Sequence, residues 1–393
     1  MRVLLVSSHP VQYAVPLYRK YTGDPRLDIK VVFCSLQGAE SGFDPDFGIE
    51  LAWDKPMLDG YQWEHPRNIA PRPRFGRPFG LINPGLWSIV RTGNFDVVVC
   101  YEYSAVSFWI AMVAAKLSGA AVLFCSEAHT FGSLRGGSWR SVLKRFMLPA
   151  LYRLVDGCLA LSSPAVRFHR KLGLPVDRVF LTPYVVDNDF FSERAQNADR
   201  PGFRKRLGIE PDEVTFVYSG KLVPWKRPGD LLEALVRVPG AHLVIAGDGP
   251  LKRGLQARVT ELGLTSRVHW LGFVNQSGLP DVLSSCDALL LPSEQEGFGV
   301  VVNEAFLCGL PVVVTDACGA AEDLVEEGKT GYVVPVGNVE VLAERMRAIA
   351  QDEELRAKLG RQARVRIENW GPDQNVEAFA KACAAVSQGR RSK

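Results

Sequence analysis

Short apolar runs of three to six residues recur along this chain, and stretches with helical periodicity separate many of them. They stand at 3–7, 29–34, 97–101, 122–126, 157–161 and 179–181, and again at 214–219, 242–246, 268–271, 288–291, 312–315 and 331–334. Continuous β-branched and leucine-rich runs of this length predict strands covered on both faces, as a parallel sheet with helices on either side requires. Helical patterns at 105–117, 138–154, 228–236, 251–262 and 339–350 fill intervals between them. Alternation of this kind is the mark of an α/β doubly wound sheet. Here it occurs twice, and 393 residues are too many for one ordinary core.

A polar stretch near 188–202, ending Asp199-Arg200-Pro201-Gly202, separates the two series. The expected division is therefore 1–195, 196–372, and a final alanine-rich helix within 373–393 that crosses back to the first domain. Two tandem Rossmann-like domains, with parallel sheets facing across a cleft, follow from this division. One insertion, 41–84, is rich in Pro, Gly, Asp, Arg and aromatic residues. Its length for a loop predicts a functional segment, read as an acceptor-side lid.

Composition narrows the function. No apolar run is long enough to cross a membrane, and the first six residues are too short for a signal peptide before His9-Pro10. Eight cysteines without a C-x-x-C pair, and six dispersed histidines, predict reduced thiols in a cytoplasm and no metal. Net charge is +3. It divides into +5 over residues 1–195 and −2 over the remainder. Two windows, 66–95 and 128–155, contain no acidic residue. The second carries Arg135, Arg140, Lys144, Arg145 and Arg153 among Trp139, Phe146 and Tyr152. Such a helix suits an anionic membrane at the inner face or an anionic acceptor, and a solvated helix face fits it equally well. No nucleic-acid reader motif accompanies the charge.

Chemistry concentrates in the second series. Glu296-Gly297-Phe298-Gly299-Val300 leads into Glu304, between strand patterns 288–291 and 312–315. Strand, glycine loop, helix and strand make a βαβ unit whose ligands lie at the strands' carboxyl ends. Carboxylates eight positions apart suit hydroxyls, and the amides of Gly297, Gly299 and Val300 suit phosphate oxygens. Ser219-Gly220-Lys221 with Lys226 places two ammonium groups five residues apart after the first strand of this half. They can converge on one polyanion; taken alone they read as surface lysines. Gly247-Asp248-Gly249-Pro250 is a tight turn at the next strand's end, where Asp248 reads equally as a capping residue.

Together, Gly220-Lys221-Leu222 with Lys226, Gly247-Asp248-Gly249-Pro250, Glu296-Gly297-Phe298-Gly299 with Glu304, and Gly319-x-x-Glu322 resemble the retaining glycosyltransferases of family 4. The spacing agrees over nearly all of 211–340. The resemblance implies the GT-B fold and a nucleotide-diphosphate sugar, UDP- or GDP-linked, as donor, with no cofactor. Glu304 is then the carboxylate for ribose hydroxyls, Glu296 lies at the donor sugar, and Lys221 and Lys226 neutralise the diphosphate. The family more usually has arginine at the position of Lys221. The base packs near Gly272-Phe273-Val274. In the first half, His9-Pro10-Val11-Gln12-Tyr13, Asp46-Phe47-Gly48 with Trp53-Asp54, Ser126-Glu127-Ala128-His129 and Tyr184-Val185-Val186-Asp187-Asn188 are similar to a bacterial branch of these enzymes. Here Ser7-Ser8-His9-Pro10 replaces the usual glycine-rich loop.

His9, Gln12, Tyr13, Glu127 and His129 are the acceptor-side residues on this reading. His129 is also counted as catalytic, with Lys221, Lys226 and Glu296; a hydrogen-bonded structural role is the alternative for His129. The implied reaction is sugar transfer to a hydroxyl with retention, in glycan, glycolipid or natural-product glycosylation, without a divalent ion. A phosphorylase, a sugar-nucleotide epimerase and a non-catalytic nucleotide-sugar-binding subunit are the competing readings. A dehydrogenase is disfavoured because no G-x-G-x-x-G follows the first strand.

Overall fold

The computed structural model describes residues 1–44, 47–128 and 151–391. The chain forms two compact units. Met1–Gly42, Pro56–Tyr184 and Pro372–Lys393 make the first; Phe43–Lys55 and Val185–Gly371 make the second.

The first unit is built on seven strands: β1 (Arg2–Ser7), β2 (Asp28–Phe33), β5 (Gln62–Glu64), β6 (Val97–Cys100), β7 (Ala121–Ser126), β8 (Gly157–Ala160) and β9 (Val179–Leu181). Their order is β5-β2-β1-β6-β7-β8-β9, and every pairing in it is parallel. Residues 3–7 of β1 and all of β6 and β8 are buried, as strands covered by helices on both faces must be. Strands β3 (Gly42–Asp44) and β4 (Ile49–Leu51) pair as a separate ribbon.

The helix Pro372–Arg391 closes the first unit. Its Asn375 amide joins two other parts of the unit: the Tyr21 hydroxyl donates to Asn375 Oδ1 at 2.6 Å, and Nδ2 donates to the Pro183 carbonyl at 2.7 Å. Phe379 stacks on Tyr21 with ring centroids 4.2 Å apart. Lys20–Asp373 and Arg26–Glu377 pair at the surface, at 3.1 and 2.7 Å.

The second unit holds β10 (Thr215–Ser219), β11 (His242–Ala246), β12 (Val268–Gly272), β13 (Ala288–Leu291), β14 (Val312–Thr315) and β15 (Gly331–Val334). The order β12-β11-β10-β13-β14-β15 is again wholly parallel. In both sheets the chain reverses its direction of growth beside the first strand, between β1 and β6 and between β10 and β13. Ligands of open α/β sheets bind at the strands' carboxyl ends beside such switch points.

Two expectations are corrected. The division at residue 195 gave all of 1–195 to the first domain, whereas Phe43–Lys55 and Val185 onward belong to the second unit. The physical cause is local pairing. The helix Asn188–Gln196 sends Arg194 to Asp281 at 2.6 Å, and Asn275 donates to the Ala52 carbonyl at 2.9 Å. The insertion at 41–84 is also less irregular than its composition predicts, since it contains β3, β4 and the sheet-edge strand β5. The helix expected over 138–154 lies outside the described residues except for its last four, which are helical.

Candidate functional site

At the switch point of the second unit, the carboxyl end of β10 runs into Gly220-Lys221. Tyr218, wholly buried, donates from its hydroxyl to the Lys221 carbonyl at 2.8 Å and so fixes the turn. A Cβ at Gly247 would sit 1.9 Å from the Gly220 carbonyl oxygen. Glycine is needed there because two strand-end loops pack backbone against backbone. Asp248 serves the turn, accepting from the Gly249 amide at 2.9 Å and pairing with Lys252 at 2.6 Å. The capping reading of Asp248 describes its contacts.

Lys226 closes a 3₁₀ turn, Pro224–Lys226. The Glu294 amide donates to the Trp225 carbonyl at 2.8 Å, which draws this turn to the loop after β13. There the Lys226 ammonium meets the Glu296 carboxylate in a mostly buried ion pair, and Ser293 donates to the same carboxylate oxygen at 3.3 Å. Arg227, next in the chain, is left-handed at φ 49°, which costs a non-glycine residue on the order of 1 kcal/mol. Asp230 holds its guanidinium at 2.8 and 3.1 Å.

Glu296-Gly297-Phe298 lies along Cys318–Ala320: the Gly319 amide donates to the Glu296 carbonyl at 3.3 Å and Ala320 to Phe298 at 2.8 Å. This brings Gly319 beside the loop. Gly299 turns the chain at φ 93°, where a Cβ would lie 2.9 Å from Cys318 Sγ. Phe298 is 2% exposed and stacks on Trp370, so its ring is core. Val300 caps the helix Val301–Leu307, in which Glu304 is buried. The two carboxylates take different neighbours. Glu304 accepts from Gln276 Nε2 at 3.3 Å. Burial raises its carboxyl from an ordinary 4.5 to about 7, with Gln276 and the Lys55 charge opposing the rise.

Several neighbours of this group stand far from it in the sequence. Asp44 lies 177 residues from Lys221, yet both its carboxylate oxygens stand 3.2 Å from the Lys221 ammonium. Phe47 and Trp53 pack on Phe273 at 5.0 and 6.1 Å between centroids, beside the half-buried Val274. Lys55 pairs with Asp187 at 3.4 Å and caps the Phe190 ring at 3.0 Å. Only pairing across sequence distance reveals Asp44 and Lys55; Phe47, Trp53 and Asp187 lie in stretches that already resemble the family.

In the first unit, residues at the carboxyl ends of β1 and β6 form a chain. Ser8 donates to Glu102 at 2.7 Å and stands 2.9 Å from His9 Nδ1. A hydroxyl carries one proton, so with Glu102 taking it His9 Nδ1 is the donor to Ser8. His9 stacks on Phe75 at 4.3 Å. Half-buried Tyr13, one residue beyond half-buried Gln12, meets Tyr184 edge-on at 5.2 Å. Desolvation, with the charge of Glu127 next, raises the Tyr13 phenol well above its ordinary value. His129 lies outside the described residues. Glu102 was not among the sequence candidates. Among the described residues no group of three or more His, Cys, Asp or Glu side chains is placed to hold a metal ion. No helix among them is long and apolar enough to cross a membrane.

Residues 27–184 match the family model for a glycosyl transferase 4-like domain, and residues 199–366 match that for glycosyl transferases group 1. The D-inositol 3-phosphate glycosyltransferase of Rhodococcus erythropolis is 30% identical over 423 residues, covering 99% of this chain and 93% of that protein. The alpha-D-kanosaminyltransferase of Streptomyces kanamyceticus is 31% identical over 198 residues, covering 49% of this chain and 50% of that one. The chain spans about half the length of several curated relatives it matches. Anabaena HepE in complex with UDP has the same fold, at a TM-score of 0.77 and 20% identity, with 98% of this chain and 100% of that one covered. Its complex with UDP-glucose gives 0.75 at 20% identity, covering 98% and 99%. With two Rossmann-like parallel sheets, both domain matches and a relative aligned over nearly its whole length, the chain belongs to the GT-B glycosyltransferases of the group 1 and 4-like type.

Proposed function

We propose that the chain is a retaining glycosyltransferase that moves a sugar from a UDP- or GDP-linked donor to a hydroxyl acceptor. The observation that carries this reading is the grouping of Lys221, Lys226, Glu296 and Glu304 around the switch point of the second sheet. In this reading Glu304 accepts from the ribose hydroxyls, and Phe273 and Val274 adjoin the base. Gly220, Gly247 and the backbone of Gly297, Phe298, Gly299 and Val300 admit the diphosphate and sugar. Lys221 and Lys226 sit where negative charge grows on the leaving diphosphate, so they lower the barrier more than they tighten substrate binding. No divalent ion is assigned a part.

The bond from the sugar's C1 to the diphosphate oxygen breaks, its electron pair going to that oxygen. The acceptor oxygen bonds to C1 on the same face and its proton passes to the departing phosphate. Glu296 positions the sugar. The reading assigns His129, which lies outside the described residues, to the reacting sugar, and His9, Gln12, Tyr13 and Glu127 to the acceptor side. HepE was solved with UDP and with UDP-glucose, which supports a nucleotide sugar as the donor class. All eight cysteines are free thiols, which supports a cytoplasmic setting. The basic segment 135–153, most of it outside the described residues, is assigned to an anionic membrane or acceptor.

The test is donor binding and turnover in two variants. Glu304→Ala should weaken nucleotide-sugar binding on the order of 10- to 100-fold, as loss of a charge-assisted bond does. Lys226→Ala should lower kcat on the order of 100-fold with KM little changed. Donor affinity untouched in Glu304→Ala would count decisively against the reading. Nucleotide release that needs inorganic phosphate, or free epimerised nucleotide sugar, would favour a phosphorylase or an epimerase instead.

A further inference from the structure

The end of β3 presents an anion to Lys221, the lysine assigned above to the donor diphosphate. Asp44 approaches the Lys221 ammonium with both carboxylate oxygens at 3.2 Å, and Phe47 lies under the same ammonium, 4.9 Å from its ring centroid. The contact is anchored on each side. Phe47 and Trp53 rest on Phe273, the residue assigned to the base, at 5.0 and 6.1 Å. Asn275 donates to the Ala52 carbonyl at 2.9 Å, and the Ser277 amide donates to Asp54 at 3.2 Å, with the Ser277 hydroxyl on the same carboxylate. Lys55 closes the segment on Asp187 and Phe190.

We infer that Asp44 is a built-in surrogate for the donor's phosphate: its carboxylate neutralises Lys221 while the site is empty and must yield that ammonium when a nucleoside diphosphate binds. Three features of the contact support this. The pair is partly open to solvent, with side-chain exposures of 30% for Lys221 and 21% for Asp44, so it is weak enough to exchange. A diphosphate carries more charge than a carboxylate and offers more acceptor oxygens, so it wins the exchange at moderate concentration. Retaining both anions on one ammonium is opposed by like-charge repulsion. Asp44 therefore sets donor affinity from within the chain, and it lowers that affinity. The same exchange holds Lys221 in place before the donor arrives, which limits the ordering cost of binding.

The inference rests on the donor-site reading, and the experiment separates the two. UDP, GDP, uridine and guanosine are titrated calorimetrically into the full chain as wild type, Asp44→Asn, Asp44→Glu and Lys226→Ala. Asp44→Asn should bind UDP or GDP about two- to fivefold more tightly, the range expected from releasing a partly exposed ion pair. That gain should shrink as salt is raised. Asp44→Glu should stay close to wild type, and the nucleosides should bind all four chains alike. Equal or weaker diphosphate binding by Asp44→Asn overturns the inference, as does an equal gain for the nucleosides. Glu304→Ala, titrated in the same way, that binds UDP and GDP as wild type does overturns the donor-site reading itself. Absence of binding by both wild type and Asp44→Asn overturns both.

Discussion

Glu304 shows how one buried side chain couples folding to ligand. Its carboxyl is raised from 4.5 to about 7 by burial, so the protonated form is the one the ligand-free fold prefers. The sign follows from the linkage. A carboxyl whose folded value is raised contributes most stability below the unfolded value of about 4.5, and that contribution is lost as pH rises through 7. Ribose hydroxyls need an acceptor, so donor binding should instead strengthen as pH rises through about 7. Urea midpoints at pH 5 and 7.5, compared between wild type and Glu304→Gln, should show a smaller decline in the variant. Its donor affinity should be lower and nearly flat over the same range. A wild-type affinity that falls with rising pH would contradict this assignment. Glu304 and Glu296 stand out in sequence because glycines and strand patterns frame them. Asp44, Gln276 and Tyr218 do not: each earns its place through a partner that only folding brings near, and no local spacing encodes that partner.

At the scale of elements, β-branched runs made the two sheets readable. Most strands match their sequence patterns within one residue at each end, because burial on both faces leaves no polar interruption. Ends and docking were less readable. Asp287, just before β13, illustrates the difference. Its carboxylate accepts from the Thr215 amide at 2.8 Å and pairs with Arg200 at 2.8 Å, Arg204 at 3.4 Å and Arg356 at 3.5 Å. It thereby ties the helices Arg200–Leu207 and Glu353–Glu368 to the central strands. Asp287→Ala removes the carboxylate that pairs with all three arginines and leaves nearly buried Arg204 without it. The expected cost is about 3–5 kcal/mol, read as a lower urea midpoint with unchanged m-value. A loss below about 1 kcal/mol would show that the arginines find water instead. In the sequence this hub is one acidic residue before an apolar run.

The whole chain returns on itself, since the helix Pro372–Arg391 completes the unit that Met1 begins. Two compact units predict two calorimetric transitions. Truncation after Gly371 should lower the transition of the first unit, because Phe379 and the Asn375 hydrogen bonds are lost from its core. UDP or GDP at a hundred times its Kd should raise only the transition of the second unit, by about 2.7 kcal/mol or on the order of 5–10 °C. A diphosphate that shifts only the first transition would move the donor site to the other sheet.

The amino-acid order by itself determined two parallel sheets, most of their strands, and the cluster of lysines, carboxylates and glycines that follows strands of the second. These are consequences of periodicity and backbone freedom, and both act over a few residues. Tertiary structure alone decided that Phe43–Lys55 packs on the second unit, that Asp44 meets Lys221, and that Phe298 is core. Ion pairs and ring contacts depend on distance in space, and a short-range pattern holds no record of which distant residue will stand three ångströms away.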